Sequence, residues 1–166
     1  ERRYRLLHYL STLLWQARAD DEPMLPPTFL DHVHGAQTFE ECDDFMLGRD
    51  LLVASVVEPD QRQRRTWLPE NTHGWYDFYS GAWYSGGQWV TLDAPLEKLP
   101  LLVRAGAGLP LSERLAHVDS AADNTRDLKL FPPTGTASTA ALLFEDDGQS
   151  WGYRTGNALW LTWKME

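Results

Sequence analysis

From Arg3 to Ala19 the apolar positions Leu6, Leu7, Leu10, Leu13, Leu14 and Ala17 recur at intervals of three and four. That spacing gathers them on one face of a helix, and no Gly or Pro interrupts it. Asp20-Asp21-Glu22-Pro23 ends the helix, because Pro cannot continue the hydrogen-bond ladder. "MLPPTFLDH" follows as one short apolar run, predicted to be a buried strand that Pro26 and Pro27 restrict to an edge or an irregular start. In "TFEECDDFML", Thr38 with Glu41 three residues on has the form of a capping box at the start of one or two helical turns.

After Asp50 the period shortens. "DLLVASVVE", "RRTWLP", "GWYDFYSG", the two halves of "AWYSGGQWVTLDAP" and "LPLLVRAG" are strand-length runs separated by Gly and Pro. Short strands at close intervals predict an antiparallel sandwich. Gly86-Gly87 is predicted to turn a two-residue hairpin, since both positions tolerate positive φ. Ser112 to Asp127 is polar, Ala-rich and without period, and is read as a linker. "DLKLFPP", "TAALLFED" and "ALWLTWKME" then alternate as half-buried strands do, with Gly148 between the last two.

Composition narrows the partners. The net charge is −9, and apart from Arg62 to Arg65 the basic residues are scattered, so no clustered cationic face is available for nucleic acid. No run of eighteen apolar residues forms a helical membrane span. The single cysteine, Cys42, closes no internal disulfide and lies in no zinc-type spacing. Eight Trp is the unusual count, and aromatic excess serves either a sandwich core or a sugar-stacking surface.

Three clusters invite a chemical reading. His32 and His34, with Asp31 and Glu40 near, make a weak metal set, and solvated loop histidines fit better. Glu145, Asp146 and Asp147 lack the regular oxygen spacing of a helix-flanked calcium loop, so a β-turn at Asp147-Gly148 is expected instead. Asp77 sits among Trp75, Tyr76, Phe78 and Tyr79. Strand alternation places Trp75, Asp77 and Tyr79 on one face, but Asp77 has no acidic companion in the stretch, whereas glycoside hydrolysis uses two carboxylates about 5–10 Å apart. A structural role is therefore expected. No metal or cofactor is called for.

Four stretches, taken together, resemble the carboxyl-terminal part of glycoside hydrolase family 31, the retaining α-glucosidase and α-xylosidase family. "RYRLLHYLSTLLWQA" is similar to its late barrel helix, and "FMLGRDLLVASVVEP" to its junction between barrel and sandwich. "WYDFYSGAWYSGGQWVTLDAPLEKLPLLVRAGAGLPL" matches its proximal sandwich, and "LFEDDGQSWGYRTG" its distal domain. The order along the chain is the family's, from residue 2 to residue 163.

The resemblance implies a mainly β chain. Residues 1–48 would be the last helix-strand piece of a (β/α)₈ barrel, 49–112 an antiparallel proximal β-sandwich, and 113–166 a linker and the start of a truncated distal β domain. Both of the family's catalytic Asp residues would precede this segment, which would leave it non-catalytic, part of a longer protein and bracing the remainder of the catalytic barrel. The chain opens at Glu1 already inside a helical pattern, which fits that expectation. If "MLPPTFLDH" is the eighth barrel strand, Leu30 and His32 lie nearest the substrate pocket. Pro26 and His32 depart from the family's Arg and Phe. The alternative is a free-standing carbohydrate-binding sandwich that stacks sugars on Trp83, Trp89 or Trp151. A barrel helix standing alone would also expose the apolar face of residues 3–19, so self-association through that face is expected.

Overall fold

The computed structural model describes residues 2–30, 32, 36–40, 43–112, 126–135 and 139–165. At the amino end α1 (Arg2–Arg5) and α2 (Leu7–Ala19) form the predicted helix, broken only at Leu6, and α3 (Ala36–Glu40) is a short turn of helix. Everything else regular among the described residues is antiparallel β, apart from one 3₁₀ turn at Gly152–Thr155.

The centre is a five-stranded sheet built from β1 (Phe45–Leu47), β2 (Leu51–Val53), β4 (Trp75–Asp77), β5 (Trp83–Tyr84) and β7 (Leu101–Arg104), in the order β1-β2-β7-β4-β5. Both of its faces are covered. On one side Met46, Leu52, Trp75 and Leu102 pack against Leu68, Val90 and Leu92 of a two-stranded ribbon formed by β3 (Gln63–Leu68) and β6 (Gln88–Asp93). On the other, Leu51, Val53, Leu101 and Val103 meet Leu6, Tyr9 and Leu13 of the helix, together with Leu109 and Leu111 of β8 (Gly108–Leu111) and Phe131. Alternate residues of one strand feed opposite cores, which is why "LLV" in β2 and "LLV" in β7 are apolar without a break. The sandwich is as predicted.

β8 pairs with β9 (Asp127–Leu130), and β10 (Thr139–Glu145) with β11 (Leu159–Met165). The β10–β11 ribbon is tied to α2: Phe144 N–H donates to Thr12 Oγ1 (3.0 Å), and the Trp15 and Phe144 rings stack at 5.2 Å. β1, which falls on the barrel side of the expected boundary at residue 48, pairs with β2 inside the central sheet.

Four expectations need correction. "MLPPTFLDH" forms no strand: Pro27 makes a single bridge with Phe45, and Pro26 O and Met24 O accept from Met46 N–H and Gly48 N–H. Two adjacent prolines offer no amide hydrogen, so a second row of ladder bonds cannot form. Thr38 is not an N-cap. It lies within α3, buried, with its hydroxyl donating to His32 O, and Glu41 is outside the described residues. Gly86-Gly87 does not close a hairpin, because β5 pairs with β4 while β6 pairs with β3, so the glycines carry the chain from one layer to the other. A Cβ on Gly86 would lie 2.5 Å from Asn71 N and 2.7 Å from Pro69 O, so it is close backbone contact that requires glycine there. Finally, the helix does not present a bare apolar face: Leu6, Tyr9 and Leu13 are buried in the core while Leu14 stays exposed, which removes the stated basis for self-association. His34, Cys42 and most of the predicted linker lie outside the described residues.

Candidate functional site

Asp77 ends β4 at the corner of the β4–β5 hairpin, where Trp75 pairs with Tyr84 and Tyr76 with Trp83. One of its oxygens, Oδ1, accepts from Tyr79 N–H (2.9 Å), Ser80 N–H (2.7 Å) and Ser80 Oγ–H (2.9 Å). The other lies 3.7 Å from Lys98 Nζ. Burial pushes the carboxyl up, but the Ser80 bonds, Lys98 and the Tyr79 amide outweigh it and hold the group below its usual value. An anion so fully engaged is a turn-former, neither a proton donor nor a nucleophile at neutral pH. Because the strand stops at Asp77, Tyr79 does not follow the predicted alternation: it packs with Tyr76 and Phe78 against the helix-side core.

A second acid was not singled out by its sequence. Asp44 is buried at the entry to the central sheet and accepts from Ser55 N–H (3.0 Å), Arg64 Nη2 (2.9 Å) and Thr66 Oγ1 (2.5 Å). Arg64 and Thr66 are the inward residues of β3, so the cluster fastens the outer ribbon to the segment before β1. The available signal was Arg64 itself, a charged residue at an inward position of an alternating strand, where burial requires a partner. In the turn at the other end of the β1–β2 hairpin, Asp50 is raised by burial, against the pull of Arg104 and Arg49. Tyr9 is raised in turn by burial and by Asp50, and its hydroxyl donates to Leu47 O (2.8 Å). These groups are placed to hold strands together; no two of the acids just described share an open cleft.

The residues named from the sequence are scattered. Leu30 lines a cavity of about 360 Å³ between α2 and the β10–β11 ribbon, together with Asp50, while His32 lines a separate polar cavity with Glu70, Asn71 and Arg104. Trp83 is half exposed and donates from Nε1 to His73 O (2.9 Å). Trp89 meets Trp67 edge-on at 5.5 Å across the outer ribbon, under Arg65 at 4.3 Å. Trp151 lines a third cavity, beside Trp15 of α2, whose lining includes neither Trp83 nor Trp89. Among the described residues, no group of three His, Cys, Asp or Glu side chains is placed to hold a metal.

A central sheet with two covered faces, a helix packed on one of them and a fully engaged Asp in the β4–β5 turn form a scaffold. The family model of the glycosyl hydrolase family 31 C-terminal domain matches residues 21–109, more than half of the chain. The chain belongs to glycosyl hydrolase family 31. Among curated relatives of this family 31 chain, neutral alpha-glucosidase AB of Sus scrofa is 32% identical over 93% of the chain, and alpha-glucosidase 2 of Bacillus thermoamyloliquefaciens 28% over 95%. Among solved structures, a Flavobacterium johnsoniae dextranase complexed with isomaltotriose superposes with a TM-score of 0.89 at 30% identity, covering 97% of this chain. An alpha-xylosidase from Xanthomonas citri gives 0.85 at 29%, again covering 97%. The family 31 chain spans only 16% and 19% of those two curated relatives, and 20% and 17% of those two structures.

Proposed function

We propose that this chain is the non-catalytic carboxyl-terminal part of a retaining α-glycosidase acting on α-glucosides or α-xylosides, in which it braces the catalytic barrel. The family match carries the reading, since it covers the carboxyl-terminal domain and a sixth to a fifth of the relatives' length. Support comes from exposed apolar side chains. Leu25, Phe29, Leu30 and Phe39 are all open to solvent in the stretch between α2 and β1, with Phe29 and Phe39 stacked at 5.2 Å. Such a cluster suits contact with the rest of a barrel better than contact with water. The segment before β1 would then complete the barrel wall, with Leu30 and His32 on its pocket side.

The experiment has two arms. The purified 166-residue chain is expected to leave aryl α-glucosides and α-xylosides intact. Replacing the equivalent segment of the Bacillus α-glucosidase with this chain is expected to restore folding and turnover that the deletion abolishes. Turnover by the isolated chain, or a chimera no better than the deletion, would overturn the reading.

A further inference from the structure

Trp151 is 68% exposed, the highest value among the exposed tryptophans of the described residues. It lies at the mouth of a cleft of about 440 Å³ whose other aromatic walls are Trp15, Phe144 and Tyr153. Trp15 comes from α2 and the rest from the end of β10 and the 3₁₀ turn, so the cleft exists only because the helix docks on the ribbon.

Polar groups surround that aromatic surface. Asp146 and Gln149 also line the cleft. Asp146 Oδ1 accepts from Gly148 N–H (2.9 Å), while its Oδ2 and the Gln149 side-chain amide make no hydrogen bond among the described residues. Arg18 also lines the cleft, its guanidinium carbon 5.5 Å from the centre of the Tyr153 ring. Positive and negative groups are mixed, which favours a neutral polar ligand over an anion or a cation.

The loop is held in shape before any ligand arrives. Asp147 accepts from Gln149 N–H (3.0 Å), Ser150 N–H (2.8 Å) and Ser150 Oγ–H (2.5 Å), and Ser150 Oγ accepts from Gly152 N–H (3.1 Å). Arg154 rests against the Trp151 ring at 4.2 Å. Preformed loops lose less entropy on binding.

From this geometry we infer that the cleft is a pyranoside-binding site formed by this chain alone, taking one or two sugar rings of a neutral oligosaccharide. The apolar face of a pyranose stacks on indole and phenol rings, and its hydroxyls meet a carboxylate, an amide and a guanidinium. The volume lies within the roughly 300–1,000 Å³ of ordinary ligand sites. Trp83 and Trp89 lack this enclosure, so the site distinguishes among the three tryptophans that composition left equal.

The test is a titration of the intact chain with maltotriose and with isomaltotriose, followed by tryptophan fluorescence and by amide chemical shifts. The expected result is saturable binding with Kd of about 1–10 mM for at least one of them. Trp151→Ala weakens it at least tenfold, Gln149→Ala severalfold, and Trp89→Ala leaves it unchanged. If Trp151→Ala does not fold, Asp146→Ala gives the same readout. Absence of saturation by either sugar, or equal binding by wild type and Trp151→Ala, overturns the proposal. Because no turnover or barrel is involved, the outcome is separable from that of the bracing test.

Discussion

The central sheet and the β10–β11 ribbon are both antiparallel and both rich in Leu and Trp, yet they bury those residues very differently. Leu51, Leu52, Trp75, Leu102 and Val103 of the sheet have no accessible surface, while Leu159, Trp160 and Leu161 of the ribbon each keep more than two fifths of theirs. A strand buries its side chains only if something covers each face, and the sheet has the β3–β6 ribbon on one side and α2 with β8 on the other. The β10–β11 ribbon is anchored chiefly by the end of β10, where Leu143 and Phe144 are buried and Thr12 of α2 is bonded, while β11 adds Trp160 against Trp15 and Trp163 beside Gly108. Hydrophobicity states that a residue can be buried; the neighbouring layer decides whether it is.

That contrast can be broken at its strong end first. Trp75→Ala removes a fully buried indole and its hydrogen bond to Pro69 O (3.0 Å), and is expected to cost about 3–5 kcal/mol by urea unfolding. A loss below about 1 kcal/mol would mean that the sheet is no better packed than the ribbon. The tie between the two regions comes next. Thr12→Val keeps the shape but leaves Phe144 N–H buried without its acceptor, for an expected loss of about 1–3 kcal/mol and faster hydrogen exchange at that amide. Unchanged exchange would show that the ribbon does not depend on the helix.

The smallest effects come from a matched pair of turns. Asp77 and Asp147 each accept two backbone amides and a serine hydroxyl, one against the central sheet and one at the ribbon's open end. Serine and backbone hydrogen bonds hold the exposed Asp147 carboxyl down at about 2, so its turn persists across the ordinary pH range. Asp77→Ala is expected to cost about 1 kcal/mol at pH 7, and Asp147→Ala less. Because the folded-state value of Asp77 is depressed, its contribution is complete above the usual carboxylate range and is lost as pH falls through the lowered value. Wild type and Asp77→Ala should therefore converge in acid. Divergence there, or a larger effect at Asp147, would reverse the assignment of the two turns.

Much of the molecule follows from local pattern. The three-and-four spacing from Leu6 to Ala17 is enough for the helix, and Asp77 was expected to be structural, as its bonds from the Tyr79 and Ser80 amides make it. The sandwich and the family were legible for the same reason: period and motif order are properties of the chain itself.

Pairing was not. Nothing within "AWYSGGQWV" states that Trp83 and Trp89 belong to different sheets, because the choice depends on β4 and β3, which compete for partners only once the chain has collapsed. Arg64 marked a need for a counter-charge, but Asp44 became that partner through the approach of a segment twenty residues away. The Trp151 cleft is the extreme case. Trp15 and Trp151 stand at opposite ends of the chain; Trp151 was one of three equal candidates and Trp15 was not singled out, and only the docking of α2 on β10 places them around one space. Sequence determined the elements and the lineage, because those rest on short-range preferences; tertiary structure decided burial, pairing and the cleft, because those depend on contacts between distant segments.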